Sequence, residues 1–199
     1  MKIAGVILAG GQATRMGGGD KTLLPLGKGC LLDAVIARLA PQVGAVALNA
    51  NGDAARFARF GLPVLADSVS GFVGPLAGVL AGMDWAAAQG YDAVLSVAGD
   101  TPFFPDDLAI QLRDAMAAAP IAMATGPGGG RMARHPTFAL WHVGLRDALR
   151  AELVNGLRKV VAFSHSRGCI DVAFPDDSAF FNVNTPEDLA IAQARLGVM

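Results

Sequence analysis

An α/β fold built on an open, mostly parallel sheet is predicted by three features of this chain. Short continuous apolar runs, such as residues 2–8 and the stretch opening at Ala93, have strand length without polar alternation, as expected of strands buried on both faces. Segments with apolar residues at helical spacing lie between them. The composition combines 53% hydrophobic residues with only 7% aromatics and 25 glycines, which suits Ala, Val and Leu packed closely between helices and sheet. At 199 residues the chain falls in the single-domain range, and residues 1–199 are expected to form one domain with a sizeable core.

Residues 2–8 form the first strand, and a glycine-rich loop leads from it towards a helix at 31–39, where LLDAVIARL repeats at helical spacing. Residues 43–50 (VGAVALNA) read as a second strand. A short helix at 53–60 is closed by Gly61, and 63–66 (PVLA) is a short strand ending at Asp67. Pro75 suits a first helical position, so 76–89 continues as a helix stopped by Gly90. Residues 93–100 (AVLSVAGD) form a buried strand with an acidic end, followed by a helix at 106–118. Strand and helix alternate to this point. Parallel strands joined by crossovers are the economical topology, giving a three-layer, Rossmann-like sheet with helices on both faces. The second half is less regular, with strands at 121–125, 137–141 and 170–174 and a glycine-rich turn at 126–130. Helices at 145–153, 157–163 and 186–196 and an extended segment at 181–184 complete it, and this half is expected to extend the same sheet.

A formal net charge of −1 supplies no global field for nucleic acid or an anionic membrane, so any anion site must be local. Cys30 and Cys169 are far apart and outside any metal-ligand or CxxC spacing, consistent with reduced thiols in a cytoplasmic protein. The first apolar run is too short for an export signal, and no segment approaches the roughly 18 apolar residues of a membrane span. A soluble, cytoplasmic protein is expected.

Residues 8–21, LAGGQATRMGGGDK, place five glycines with Arg15 and Lys21 directly after the first strand. Glycine reaches φ > 0 without a Cβ clash and lets a phosphate approach main-chain N–H groups, while the cations offset ligand charge. The dinucleotide fingerprint G-x-G-x-x-G is absent from this loop. A P-loop frame ending at Lys21-Thr22 would need glycines where Arg15 and Asp20 stand.

The loop instead resembles the LAGGxxxRMGGxDK signature of Rossmann-like nucleotidyltransferases, of the nucleotide-diphospho-sugar transferase type. Five further pieces appear in order: Asn49-Ala50-Asn51, Asp67, GPLAG at 74–78, GDTP at 99–102 and NVNTPEDL at 182–189. Together they resemble the molybdenum cofactor guanylyltransferases over nearly the whole chain. The resemblance implies that Leu8, Ala9, Gly10, Gly11, Lys21, Asn49, Asp67 and Asp100 bind GTP, and that Asp100 holds Mg²⁺. It also implies that residues 1–105 form the GTP and Mg²⁺ half and 106–199 the molybdopterin half, with Asn182, Asn184 and Arg134 on the pterin side. The LAGG opening, where a related cytidylyltransferase branch has LAAG, favours GTP.

Each residue also has a plainer reading. Lys21 can pair with Asp20 at the surface, Asp100 can cap the following helix, and Asp67 can form a turn. Asn182 and Asn184 can bond backbone before the last helix. Arg131, His135 and Asn51 stay open between ligand contact and a structural role. Arg15, Lys21 and Asp100 are the residues expected to carry the chemistry, because transfer to an anionic phosphate needs alignment and charge neutralisation more than a general base. Molybdopterin-supplying and molybdoenzyme-maturation proteins are the implied partners. A cytidylyltransferase, a sugar-phosphate nucleotidyltransferase and a non-catalytic GTP-binding delivery module are the competing functions.

Overall fold

A computed structural model describes residues 1–10, 19–69, 74–128, 131–176 and 178–198. Strands β1 (Ile3–Leu8), β4 (Val46–Asn49), β5 (Val64–Leu65) and β6 (Ala93–Ala98) pair in parallel. Strands β7 (Ile121–Gly128), β8 (Arg131–His142) and β9 (Cys169–Ala173) complete a seven-stranded sheet of order β5-β4-β1-β6-β8-β7-β9. Only β8 runs antiparallel to its neighbours, β6 and β7. Residues from both halves of the chain therefore share one sheet, as the sequence predicts. A separate two-stranded hairpin, β2 (Pro25–Leu26) and β3 (Gly29–Cys30), lies between the glycine-rich segment and the first helix.

Alternate residues of the parallel strands feed two cores. Ile7, Leu48, Leu95 and Val97 pack with α1 (Leu31–Leu39) and α3 (Leu108–Ala115) on one face. Val6, Val94 and Trp141 pack on the other with α2 (Pro75–Ala88), α4 (Arg146–Val154) and α5 (Val160–Ser166). A third cluster, Leu26, Leu31, Val183 and Ala192, lies beneath α6 (Pro186–Val198). Helices thus cover both faces. Every residue of β6 is buried, and the strand is apolar throughout except for Ser96.

The most informative departures from the sequence expectation lie in three regions. The helix at 53–60 is a 3-10 helix, Ala54–Phe60, opened by Asp53 accepting from the Ala55 N–H and closed by Gly61 at φ +64°. The glycine-rich turn at 126–130 is largely strand, because β7 runs to Gly128 and pairs there with Arg131. Pro127 is tolerated because β9 stops pairing at Thr125 and leaves β7 as an edge beyond it. The strand at 137–141 correspondingly lengthens to all of β8, through pairing that local composition does not encode.

Register places the site. Leu8 pairs with Asn49 on one side and Ala98 on the other, so the polar residues ending β4 and following β6 flank the end of β1. Thr185 and Asp188 form a reciprocal cap for α6: the Asp188 N–H donates to Thr185 Oγ1 at 3.2 Å, and the Thr185 N–H donates to Asp188 Oδ2 at 2.9 Å. The extended segment before α6 is thereby held against the sheet end.

Between β6 and β8, the fully buried Trp141 donates its indole N–H to Ser96 Oγ at 2.9 Å, and Ser96 donates to the Ala139 carbonyl at 3.2 Å. Ser96→Ala strands the indole donor in an apolar core. Chemical denaturation should show a loss of about 1–3 kcal/mol at unchanged m-value; undiminished stability would mean that the indole finds another acceptor.

Candidate active site

The carboxyl ends of the parallel strands surround a cavity of about 440 Å³, within the usual range of small-molecule sites. Leu8 and Gly10 form its floor at the end of β1, Asn49 and Asn51 follow β4, and Asp100 follows β6. Gly74 and Pro75 bring the first turn of α2 to the same space.

Lys21 is buried at 8% exposure, and its ammonium bridges two segments distant in sequence. Nζ donates to Asp100 Oδ2 at 2.5 Å and to Asn184 Oδ1 at 2.6 Å. A surface pair with Asp20 is not what forms: Asp20 is engaged by Arg56 instead. Nor does Asp100 cap a helix, since α3 begins only at Leu108. The extended segment before α6 is sutured to this end of β6 by two more bonds. The Val183 N–H donates to the Asp100 carbonyl at 3.0 Å, and the Thr101 hydroxyl donates to Asn182 Oδ1. Asn182 and Asn184 therefore face the site through their side chains, while the backbone turn is capped by Thr185 and Asp188.

Asp67 is clamped from one side of the cavity. Asn49 Nδ2 donates to Asp67 Oδ1 at 2.9 Å and to the Leu65 carbonyl at 3.1 Å. Asn51 Nδ2 donates to Asp67 Oδ2 at 2.8 Å, and Asn51 Oδ1 accepts from the Asp67 N–H at 2.9 Å. Both carboxylate oxygens are held, so the group is oriented before any ligand arrives. Two glycines make room for this packing. A Cβ on Gly78 would stand 2.1 Å from Asn49 Oδ1, and one on Gly99 would stand 2.6 Å from Thr22 Cγ2. The final glycine of GPLAG is thus a packing requirement for Asn49.

The profile of the MobA-like NTP transferase domain matches residues 5–168. The molybdenum cofactor guanylyltransferase of Mesorhizobium japonicum is 53% identical, over 98% of this chain and 95% of its own length. That of Rhodopseudomonas palustris BisB5 is 50% identical, over 94% and 91%. The chain belongs to the molybdenum cofactor guanylyltransferases. Members of this family are nucleotidyltransferases, and the present chain is one. Among solved structures, molybdopterin-guanine dinucleotide biosynthesis protein A of Archaeoglobus fulgidus superposes with a TM-score of 0.75 at 21% identity, covering both chains fully. The 2-C-methyl-D-erythritol 4-phosphate cytidylyltransferase of Thermus thermophilus gives the same TM-score at 19% identity, over 99% and 100%. At these identities the shared property is the fold.

In this guanylyltransferase, Leu8, Gly10, Lys21, Asn49, Asp67, Asp100 and Asn182 line the common cavity, and Asn184 joins them through Lys21. Ala9 is fully buried beneath it. Gly11 and Arg15 lie outside the described residues. Arg134 is not brought to the cavity lining: on β8, its Nε and Nη2 form a forked pair with Asp171, with contacts of 2.6–3.0 Å. Sequence reasoning left Asn51 open and did not single out Thr22 or Thr137, which also line the cavity. Thr22 directly follows the lysine, and that adjacency is the one signal that pointed to it.

His135 stacks on Phe180, with ring centroids 4.1 Å apart. Burial pushes its pKa below the ordinary histidine value. The unfolded chain therefore binds more protons than the folded one between that lowered value and about pH 6.5, and stability falls as pH drops through this window. Thermal unfolding scanned from about pH 7.5 to about pH 5.5 should show a declining Tm that flattens in His135→Phe; parallel profiles would assign the acid sensitivity elsewhere.

Proposed function

We propose that this guanylyltransferase binds GTP in the cavity and transfers GMP to the terminal phosphate of molybdopterin, forming molybdopterin guanine dinucleotide. The observation that carries the reading is the Lys21 ammonium, seated between Asp100 on the nucleotide side and Asn184 on the pterin side. One cation is thus adjacent to both halves of a two-substrate site. A pterin phosphate oxygen forms the new bond to the α-phosphorus of GTP as the bond to the leaving pyrophosphate breaks. The nucleophile is already anionic near neutral pH, so the balance requires no general base.

The chain's residues take matching roles in this reading. Backbone groups of residues 8–11 approach the nucleotide, and Asn49 and the clamped Asp67 face its nucleoside portion. Lys21 neutralises phosphate charge, with Arg15 as a second cation. Asn182 and Asn184 orient the pterin phosphate. Arg134 reaches that phosphate only by sharing its pair with Asp171. Asp100 offers a partly exposed hard oxygen donor beside the Lys21 charge, and Asp67 lines the same cavity. That donor set fits Mg²⁺, which takes one or two carboxylates and completes its shell with water and substrate phosphates. Bound at Asp100, Mg²⁺ supplies charge neutralisation on the phosphate oxygens.

Residues 1–105 and 106–199 form the nucleotide and pterin halves of one catalytic unit. Among the described residues no helix is long and apolar enough to cross a membrane, and both cysteines are free thiols. In this reading the reaction is cytoplasmic, with molybdopterin-supplying and molybdoenzyme-maturation proteins as its partners.

Pyrophosphate release from molybdopterin with GTP, CTP, ATP and UTP in parallel tests the reading. GTP should be preferred, and Asp100→Asn should cut GTP turnover by roughly a hundredfold or more. Lys21→Ala should lower GTP affinity and turnover together, because its charge acts before and during transfer. Preference for CTP would move the chain to cytidylyl transfer, and GTP binding without pyrophosphate release would make it a carrier.

A further inference from the structure

Arg56 belongs to none of the motifs that carry the family resemblance, yet its guanidinium joins two walls of the cavity. It stands on the 3-10 helix Ala54–Phe60. Its Nε lies 2.7 Å from Asp20 Oδ2 in an ion pair, and Nη2 donates to the Asn51 carbonyl at 2.7 Å. Nη1 donates to the Asp53 carbonyl, and the guanidinium sits 4.6 Å over the ring of the fully buried Phe57. The paired side chains are only 26% and 22% exposed, so this is a held contact and not a mobile surface pair.

What the fork connects gives it significance. Asp20 immediately precedes Lys21, whose ammonium reaches Asp100 and Asn184. Asn51 holds Asp67 through two side-chain bonds. A single planar group therefore ties the segment that presents the phosphate-side lysine to the segment that aims the opposite carboxylate. We propose that Arg56 is a positioning residue for the nucleotide, fixing the separation between Lys21 and the Asn51–Asp67 clamp without itself touching GTP. The inference rests on the reading of this cavity as the GTP site. Two of its five N–H groups donate to backbone carbonyls, its charge pairs with Asp20, and the ring beneath fixes the plane. A lysine can reach one of these acceptors but cannot reproduce the fork.

Because both walls hold GTP in ground state and transition state alike, loosening their separation weakens binding more than it slows transfer. Steady-state kinetics on purified Arg56→Met, Arg56→Lys, Asp20→Asn and the Arg56→Met/Asp20→Asn pair, with calorimetric GTP titration and thermal unfolding, test this. Arg56→Met should raise KM for GTP roughly tenfold. KM for molybdopterin, kcat and Tm should stay close to the parent values, and Arg56→Lys should recover only part of the loss. Asp20→Asn should weaken GTP binding too, and adding it to Arg56→Met should cost little more. An unchanged KM for GTP in Arg56→Met overturns the proposal. So does a parallel rise in both KM values with a fall in Tm, which marks a general structural role. If the parent protein releases no pyrophosphate, the transfer reading fails, and calorimetric GTP affinity alone then decides for or against Arg56.

Discussion

A buried ammonium must be matched by acceptors, and in this chain that requirement organises the site. Lys21 lies too deep for water to solvate it fully, so its protons need fixed partners. Asp100 and Asn184 meet that need, and they come from a β-strand end and from the approach to the last helix. Satisfying the lysine thus draws the C-terminal segment onto the parallel half of the sheet. The Val183 bond to the Asp100 carbonyl and the Thr185–Asp188 cap hold it there. Remote parts of the sequence become one site because one cation is buried between them.

The sheet supplies the second constraint. Parallel pairing with Leu8 opposite both Asn49 and Ala98 sets three strand ends level, so whatever follows each strand shares one opening. Open α/β sheets place ligands at this edge whatever their chemistry. The Thermus cytidylyltransferase shares the architecture at 19% identity, so the scaffold alone does not distinguish nucleotides. Discrimination belongs to the side chains at the strand ends.

Much of this was legible in the sequence, and the exceptions have physical reasons. The buried parallel strands could be read because burial on both faces leaves a run without polar alternation, as in β6, where Ser96 is the one polar residue. The full length of β8 could not, because it depends on pairing with β7 through a Gly- and Pro-rich stretch that reads locally as a turn. Lys21, Asn49, Asp67 and Asp100 were singled out through the family resemblance, and they line one cavity. Asn51 was ambiguous because its role is defined by Asp67, sixteen residues away in sequence. Arg56 was invisible for the same reason: its partners are two carbonyls and one carboxylate, and carbonyl positions leave no trace in residue identity. Arg134 illustrates the converse, since a cation that looks available in sequence is here committed to Asp171.

The first turn of α2 borders the cavity at Gly74 and Pro75. A proline there gives up no useful donor, because the first N–H groups of a helix have no intrahelical partner. The aligned peptide dipoles of this 14-residue helix end at that opening with roughly half a positive elementary charge. Unlike a lysine ammonium, this charge has no proton to lose. The attraction it exerts on a phosphate persists in alkaline solution, and it is written into the backbone, where no single side-chain substitution removes it.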